Sequence, residues 1–325
     1  MATTSPNANL VREAWAKKLW VDAQDEQFFV KHGFIGESDN SIIVKKVDLK
    51  KDKGDTIHIG LSVKLSGSGI SGDSTLEGYE EAISTYEMDV QLDQIRNAVR
   101  IAGALAEQQA CYDMRSDAKE KLKIWLAEYL DEKMFEDLAS SPSTNRKIWC
   151  SVDHSSVATL DTTDKLSTGY ISEAKRLAKL ASPRVRPIRV NGKEHYVLVV
   201  HPYCMRDLRR DADWIDAQQL ANVRGVDNPI FSGAEGMWDG VIIYEHENVY
   251  RTNDGSSSAY IARNLLLGAG AGVWAIGKEP FWREKTFDYE NQVGFATGLI
   301  HGFKKAVFDG EDYGVVTLYA SAASD

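Results

Sequence analysis

Three side chains with metal-binding chemistry lie close together in the middle of the chain: His195, His201 and Cys204. Imidazole and thiolate are zinc ligands, so this grouping raises the hypothesis of a metal site. However, the six-residue gap between the histidines matches no common zinc-finger or helical ligand spacing, and His201 stands where a predicted strand ends before Pro202. We therefore favour chance clustering and predict neither a metal nor another cofactor.

A run of small residues at 268–272, Gly-Ala-Gly-Ala-Gly, raises a second hypothesis, a loop that cradles phosphate. It lacks the Lys-Ser/Thr pair of a P-loop and the strand-loop-helix context of a dinucleotide fingerprint. We predict a structural role instead, in which small residues permit close backbone packing or a bend. The same interpretation applies to Gly233, Gly236 and Gly240.

The helix predicted after Pro202 begins with a dense group of charges. Three arginines and three aspartates lie there within eight positions: Arg206, Asp207, Arg209, Arg210, Asp211 and Asp213. This pattern is typical of a solvated helical face with i,i+4 ion pairs, and a contact between subunits would use the same residues. The sequence contains no Gly-x-Ser-x-Gly elbow, no paired metal carboxylates and no Cys/His dyad at a recognisable spacing, so we predict that the protein is not an enzyme.

The composition is that of an ordinary globular protein, with 43% hydrophobic and 26% charged residues over 325 positions. A net charge of −10, from 48 acidic and 38 basic residues, argues against a protein whose task is to grip phosphate directly. The three cysteines form no C-x-x-C pattern, which indicates neither a disulfide framework nor a zinc site. The sequence shows neither a signal peptide nor an apolar run of about 18 residues, so we expect a non-secreted protein without a membrane span.

The first hundred residues predict an amphipathic helix followed by a long hairpin. Trp15 and Leu19 recur at helical spacing within 10–29, and this helix either packs on its own domain or forms an arm that reaches a neighbour. The Gly/Ser-rich segment at 66–73 predicts a flexible tip, and a hairpin this long must be covered by something outside its own domain. Alternating apolar residues predict the strands: 42–49, 56–65 and 86–95.

Residues 105–138 run for about nine helical turns without proline or glycine and are rich in Ala, Glu, Lys and Leu. Leu122, Tyr129 and Leu138 mark one apolar stripe, with charged residues largely on the other faces. We predict one unbroken helix that ends at the Ser-Ser-Pro-Ser cluster of 140–143.

Beyond Asn145 the chain alternates between strands and helices, which predicts an α+β fold with mixed sheets. Helices are predicted over 172–181 and 203–221. Strands are predicted over several ranges: 147–152, 185–190, 196–201, 240–250, 272–276, 293–307 and 313–320. No internal repeat and no low-complexity linker separates independent domains.

Short motifs recur in a fixed order along nearly the whole chain. The first group surrounds the predicted hairpin: Asp48-Leu49, Gly54-Asp55, Gly69-Ile70-Ser71-Gly72-Asp73 and Leu76-Glu77-Gly78. The second group follows: His201-Pro202-Tyr203, Arg206-Asp207-Leu208, Asn228-Pro229-Ile230-Phe231-Ser232-Gly233-Ala234, Phe287-Asp288-Tyr289, Gly302-Phe303-Lys304-Lys305 and Asp312-Tyr313-Gly314-Val315. In this order they resemble the N4-like phage major capsid family.

That resemblance implies a capsid fold of the Hong Kong 97 type, an α+β fold with an N-arm, an E-loop hairpin, a long spine helix, a P-domain and an A-domain. The implied ranges are 1–40 for the N-terminal arm, 41–100 for the E-loop hairpin and the start of the P-domain, 101–145 for the spine helix, 146–270 for the A-domain and 271–325 for a return to the P-domain sheet. The Lys-Asn crosslink of some capsids of this fold does not map onto this sequence, and we do not predict it.

The resemblance also implies a function: the major capsid protein of a tailed double-stranded DNA bacteriophage, assembled in the host cytoplasm and found in the virion. Its partners would be itself, in homo-hexamers and homo-pentamers, and portal, scaffolding and decoration proteins; it would enclose DNA without sequence-specific binding and use no membrane. We expect contacts between subunits at Trp15, Leu19, Gly67, Gly69, Gly72, Asp73, Arg206, Arg209 and Arg210. Two alternatives stay open, an encapsulin-like cage of the same fold and a metal-binding enzyme that uses the region of His195 and His201.

Overall fold

The computed structural model describes residues 27–47, 54–62, 85–109, 113–190, 192–222 and 234–324, as well as 70–72, 75, 77 and 80. In this part of the chain, helices and strands alternate in the α+β arrangement predicted from the sequence. The helices are α1 (Phe28–Lys31), α2 (Ala104–Gln109), α3 (Met114–Ala139), α4 (Thr168–Leu180), α5 (Pro202–Leu208) and α6 (Ala212–Asn222). The strands are β1 (Ile35–Gly36), β2 (Ile43–Lys46), β3 (Thr56–Ser62), β4 (Thr85–Gln91), β5 (Asp93–Arg100), β6 (Lys147–Trp149), β7 (Ile188–Val190), β8 (Lys193–Val200), β9 (Gly236–Trp238), β10 (Val241–Glu245), β11 (Arg251–Thr252), β12 (Ile261–Leu267), β13 (Gly272–Phe287), β14 (Gln292–Lys305), β15 (Val307–Phe308), β16 (Glu311–Asp312) and β17 (Val315–Ser321).

Two sheets contain most of these strands. The five-stranded sheet has the order β1-β2-β13-β14-β5, with the long antiparallel hairpin of β13 and β14 at its centre. The eight-stranded sheet follows the path β6-β17-β12-β8-β10-β9, with β11 on β12 and β7 on β8. Within 271–325, β13 and β14 lie in the five-stranded sheet, whereas the last strand, β17, lies in the eight-stranded sheet. All of its residues are buried, as a strand covered on both faces requires.

The long helix α3 lies against one face of the five-stranded sheet. Leu122, Leu126 and Leu130 recur at intervals of four and are at most 1% exposed, so they form the apolar stripe of a helix that faces a sheet. Phe295 and Leu299 of β14 belong to the same core cluster. Full burial of each such side chain contributes roughly 2 kcal/mol to folding.

The prediction of one unbroken helix over 105–138 is wrong at one point. The chain is helical over α2 and again from Met114, but Asp113 has an extended backbone, with φ −75° and ψ 101°. Its carboxylate accepts hydrogen bonds from the backbone N–H of Arg115 at 3.0 Å and the hydroxyl of Ser116 at 2.8 Å. An aspartate bonded in this way begins a helix rather than continuing one, which a search for proline and glycine breakers overlooks.

The helix predicted over 203–221 is likewise divided, into α5 and α6, around Asp211. The Asp211 carboxylate accepts hydrogen bonds from the backbone N–H and the hydroxyl of Thr168, both at 2.8 Å, at the first residue of α4. Both α4 and α5 contribute to the core of the eight-stranded sheet. A tertiary contact of one aspartate therefore outweighs the helical propensity around it.

The glycine run at 268–272 has the structural role predicted for it. A side chain on Gly272 would lie 2.7 Å from Cζ of Phe303, and one on Gly314 would lie 2.5 Å from Cα of Ala271. Gly270 has a φ of +73°. Backbone segments approach one another here more closely than any side chain permits.

A buried ion pair joins the end of α3 to the five-stranded sheet. Nζ of Lys305, at the end of β14, lies 2.8 Å from Oδ1 of Asp312 in β16, and the two side chains are 4% and 1% exposed. The Lys305 ammonium also donates to the carbonyl oxygens of Ser140 and Ser141, at 2.5 and 3.3 Å, just after α3 ends as predicted at Ala139. A cation thus satisfies carbonyl groups at the end of the helix where the helix dipole favours positive charge.

The same carboxylate holds the segment that leads from α3 into β6 and the eight-stranded sheet. Oδ2 of Asp312 accepts a hydrogen bond from the backbone N–H of Ser143 at 3.1 Å. Arg146, only 1% exposed, donates through Nε to the carbonyl oxygen of Asp312 at 3.1 Å and through Nη2 to that of Pro183 at 2.6 Å. Burial lowers the pKa of both Lys305 and Arg146, and nearby carboxylates oppose that shift. Buried charges of this kind persist only when they are paired.

We expect Lys305→Met to lower the free energy of unfolding by about 3–5 kcal/mol, because it leaves the Asp312 carboxylate buried without a cation. Urea unfolding of the soluble subunit measures this loss. Lys133→Met is the matched control, since Lys133 pairs with Asp137 at a partly exposed i,i+4 position and its loss should cost about 0.5 kcal/mol or less. Equal effects of the two substitutions would contradict a special role for the buried pair.

Candidate functional site

The three residues of the metal hypothesis have separate structural roles. Nδ1 of His195 lies 3.3 Å from a backbone carbonyl oxygen. Nδ1 of His201 accepts a hydrogen bond from the backbone N–H of Tyr203 at the start of α5, and the Cys204 thiol donates to the carbonyl oxygen of Ser321, each at 3.3 Å. Burial lowers the pKa of His201 to about 4 and raises that of Cys204 to about 12, so that at pH 7 the imidazole is neutral and the thiol is protonated.

Within the described ranges, no group of three or more His, Cys, Asp or Glu side chains is placed to hold a metal ion. In the same part of the chain, no helix is long and apolar enough to cross a membrane.

The arginines predicted at a subunit contact lie in the last turn of α5 and in the turn after it. Nη2 of Arg206 is 3.1 Å from Oδ1 of the adjacent Asp207, and Nη2 of Arg209 is 2.6 Å from Oε2 of Glu235. Arg210 is exposed and lines an open cleft with Arg206. The ion pairs of Arg209 are not i,i+4 pairs, because α5 ends before Arg209 and its partners, Glu235 and Glu245, come from other elements. The pairs of Arg209 are largely exposed and contribute at most about 1 kcal/mol each, so Arg209 can exchange partners at an interface.

The ribbon of β3 and β4 is the base of the predicted hairpin. Its strands pair in antiparallel register, and one face carries apolar side chains. Ile57 and Val90 at the base are buried in a cluster with Phe308, whereas Leu61 and Tyr86, nearer the tip, are only partly buried. The apolar face is therefore more exposed toward the tip than at the base, and an exposed apolar face is typical of a surface that binds a partner.

The strand predicted over 86–95 is divided at Leu92. β4 belongs to the ribbon and β5 to the five-stranded sheet, and the backbone N–H of Leu92 donates to the carbonyl oxygen of Asp55 at 2.7 Å. One run of alternating residues thus serves two sheets, a division that periodicity does not reveal. The ribbon is continuous with the edge of the five-stranded sheet.

Among the residues predicted at the hairpin tip, the structure describes Gly72. It has a φ of +73°, and no heavy atom lies within 4 Å of the position that a Cβ would take. The other predicted contact residues of the tip and of the amino-terminal helix lie outside the described residues: Trp15, Leu19, Gly67, Gly69 and Asp73.

The first described residues are anchored on α3. Oδ2 of Asp131 accepts a hydrogen bond from the backbone N–H of Phe28 at 2.9 Å. Phe29 is completely buried, and the Phe28 ring lies 5.7 Å from the ring of Phe135 and 4.6 Å from that of His246. The last residues of the helix predicted over 10–29 therefore pack on their own domain.

Asp131 is buried at this anchor, and its two carboxylate oxygens differ in their hydrogen bonds. Burial raises its pKa to about 6, and the backbone N–H groups of Phe28 and Phe29 and the Gln27 side chain oppose the shift. Oδ1 of Asp131 and Oε1 of the neighbouring Gln27 are buried acceptors without a partner. A protonated carboxyl group would supply a donor, so this environment favours the neutral form.

Known proteins resemble this chain over nearly its full length. Residues 3–150 and 139–324 match the family of phage capsid proteins. The major capsid protein of Pseudomonas phage KPP25 is 30% identical to the chain, over 97% of this chain and 96% of that protein. The solved capsid of Ralstonia phage GP4 has a TM-score of 0.82 at 30% identity and 92% coverage of both chains; the capsid asymmetric unit of cyanophage Pam1 has a TM-score of 0.79 at 26% identity, with 90% of this chain and 92% of that one covered. These likenesses confirm the α+β phage capsid fold.

The raised pKa of Asp131 predicts that the free energy of unfolding decreases as the pH rises. Because the pKa rises from its ordinary 3.8 to about 6 on folding, the stabilisation is fully present below pH 3.8 and is lost as the pH rises through 6. The loss amounts to about 3 kcal/mol by pH 8.

Asp131→Asn should abolish this loss, since an amide keeps an acceptor for Phe28 and supplies a donor for Gln27. Urea unfolding of both proteins between pH 4.5 and 8 isolates the group, because histidines with lowered pKa values contribute equally to both. We expect the variant to gain stability over the parent as the pH rises. A constant difference across this range would contradict the assignment.

Proposed function

Because the chain belongs to the phage capsid protein family and is the major capsid protein of a tailed bacteriophage, we propose that its copies form the hexamers and pentamers of an icosahedral head around double-stranded DNA. The observation that carries this proposal is the family match from residue 3 to residue 324. The protein is a component of the virion. Membership of the N4-like group, assembly in the host cytoplasm, the absence of catalysis, and portal, scaffolding and decoration partners are further parts of the proposal.

The sheets suggest how the five named parts of the capsid fold divide the chain. We assign the five-stranded sheet with α3 to the P-domain and the eight-stranded sheet to the A-domain, since they are separate sheets and α4 and α5 pack only with the second. The ranges 1–40, 41–100, 101–145 and 146–270 keep their proposed roles as N-arm, E-loop hairpin, spine helix and A-domain. The range 271–325 is then shared, with β13 and β14 in the P-domain and β17 in the A-domain.

In this proposal, function resides in the contacts between copies. The hairpin tip and the segment before Gln27 are the proposed contact segments, and contacts of this kind would absorb the small angular differences between subunit environments of a closed shell. Gly67, Gly69, Gly72 and Asp73 would act at the tip, Trp15 and Leu19 in the arm, and Arg206, Arg209 and Arg210 at a face of the A-domain.

Deleting 67–72, or truncating the chain before Gln27, should block or deform shells while leaving a folded subunit. The truncation must stop there because Phe28 and Phe29 belong to the core of α3. Circular dichroism of the soluble subunit scores folding, and particle counts in negative-stain microscopy score assembly.

His195→Gln is the matched control, because the imidazole is partly buried and has a local role. It should cost about 1 kcal/mol of stability and still give shells. Normal shells from both deletions, or loss of shells from the control, would contradict the proposed roles.

A further inference from the structure

The face of the five-stranded sheet opposite α3 concentrates positive charge. On β14 the residues that point away from the helix are small: Gly294, Ala296 and Gly298. Phe295 and Leu299, which alternate with them along the strand, are buried against α3. A side chain on Gly298 would lie 2.7 Å from Cγ of Arg96 and 3.1 Å from Cζ of Phe281, so the flanking strands share this face with it.

Cations lie on both sides of these small residues of β14, which we call the floor. Two cations lie opposite Gly294: Arg100 on β5 and Lys285 on β13. Arg283 of β13 lies opposite Ala296. The complete set, which we call the basic trough, is exposed on both strands: Arg96, Arg100, Lys278, Arg283 and Lys285. Because neighbouring strands are about 4.8 Å apart, the two rows of cations lie about 10 Å apart, over a length of about 20 Å.

Aromatic rings, rather than carboxylates, accompany these cations. The Arg100 guanidinium lies 4.2 Å and the Lys285 ammonium 4.9 Å from the centre of the Phe287 ring. In the part of the chain that the structure describes, no carboxylate lies within ion-pair distance of a trough cation. Glu284 of β13 points to the other face, where its Oε1 accepts a hydrogen bond from Arg115 at 2.7 Å. The trough is thus positive within a protein of net charge −10.

We propose that the basic trough binds the phosphate backbone of the enclosed double-stranded DNA, without reading its sequence. This inference rests on the proposed function, because DNA would reach the face inside a shell. The floor strand β14 carries small residues, and its backbone groups pair with β5 on one side and β13 on the other. A ligand can therefore gain mainly from charge, and three of the five cations are arginines, whose planar forks suit phosphate. The trough would tether the genome weakly against a wall that otherwise repels it.

An acidic protein segment is the competing occupant. The loop between β3 and β4 carries Asp73, Glu77, Glu80 and Glu81 against a single Lys64. It also carries apolar residues among its acids: Leu76, Tyr79, Ala82 and Ile83. The trough offers little uncovered apolar surface to receive them, because its two phenylalanines lie beneath cations. Phosphate is therefore the better chemical match.

The test uses the soluble full-length subunit and a 25-base-pair DNA duplex of mixed sequence, with affinity measured at several NaCl concentrations. Arg283→Gln/Lys285→Gln should weaken binding about tenfold or more near 0.1 M salt and lower the slope of log affinity against log salt by about two. The control Arg176→Gln/Lys179→Gln removes the same charge from α4 and should leave both quantities nearly unchanged. Ala296→Glu, which places a carboxylate on the floor, should weaken binding at least as much as the first pair.

Three outcomes would overturn the proposal: no salt-dependent binding by the parent protein, equal losses in the trough and control variants, or trough variants that bind DNA normally but fail to assemble. The last outcome would assign the trough to an acidic segment of another copy. Circular dichroism checks that each variant folds. Microscopy of the parent protein, scored separately, shows whether shells form at all, so failure of the proposed function is distinguishable from failure of this inference.

Discussion

The ammonium of Lys305 and the carboxylate of Asp312 lie buried at the point where α3 ends and the chain passes from one sheet to the other. Lys305 binds the carbonyl groups just beyond the helix, Asp312 binds the segment that leads into β6, and Arg146 binds the backbone of Asp312. One apolar cluster joins the two sheets, since it contains Val199 and Leu265 of the eight-stranded sheet as well as Trp274 of the five-stranded sheet. The polar junction adds a directional constraint to this shared apolar layer. A polar junction demands one geometry, because any displacement leaves a buried charge without its partner.

This constraint fits a shell subunit. Burial holds the two sheets and α3 as a defined body, on which the ribbon of β3 and β4 and the residues from Gln27 onward are anchored. Their anchors differ in strength: Phe29 is fully buried against α3, whereas the apolar face of the ribbon is covered only at its base. Charge is also unevenly distributed, since the acidic chain presents one strongly basic face. The packed body, the ribbon and the basic face can therefore form separate contacts in one assembly.

Much of the fold could be predicted from periodicity. The α+β class, the end of α3 at the Ser-Pro cluster and most strands follow from local pattern, because apolar alternation and helical stripes record burial directly. The breaks could not be predicted in this way. Asp113 and Asp211 interrupt predicted helices through hydrogen bonds to particular partners, and Leu92 divides one alternating run between two sheets. The basic trough was also missed, because Arg96 and Arg283 lie far apart in sequence and meet only through the register of β5 and β13 with β14.

The central claim is that this subunit works by meeting copies of itself in a closed shell. Cryo-electron microscopy of particles from cells that express the protein with its neighbouring genes tests it most directly. We expect icosahedral particles of hexamers and pentamers, in which the hairpin and the amino-terminal segment contact adjacent subunits. Particles in which those two segments contact only their own subunit, or a protein that stays monomeric under assembly conditions, would contradict it.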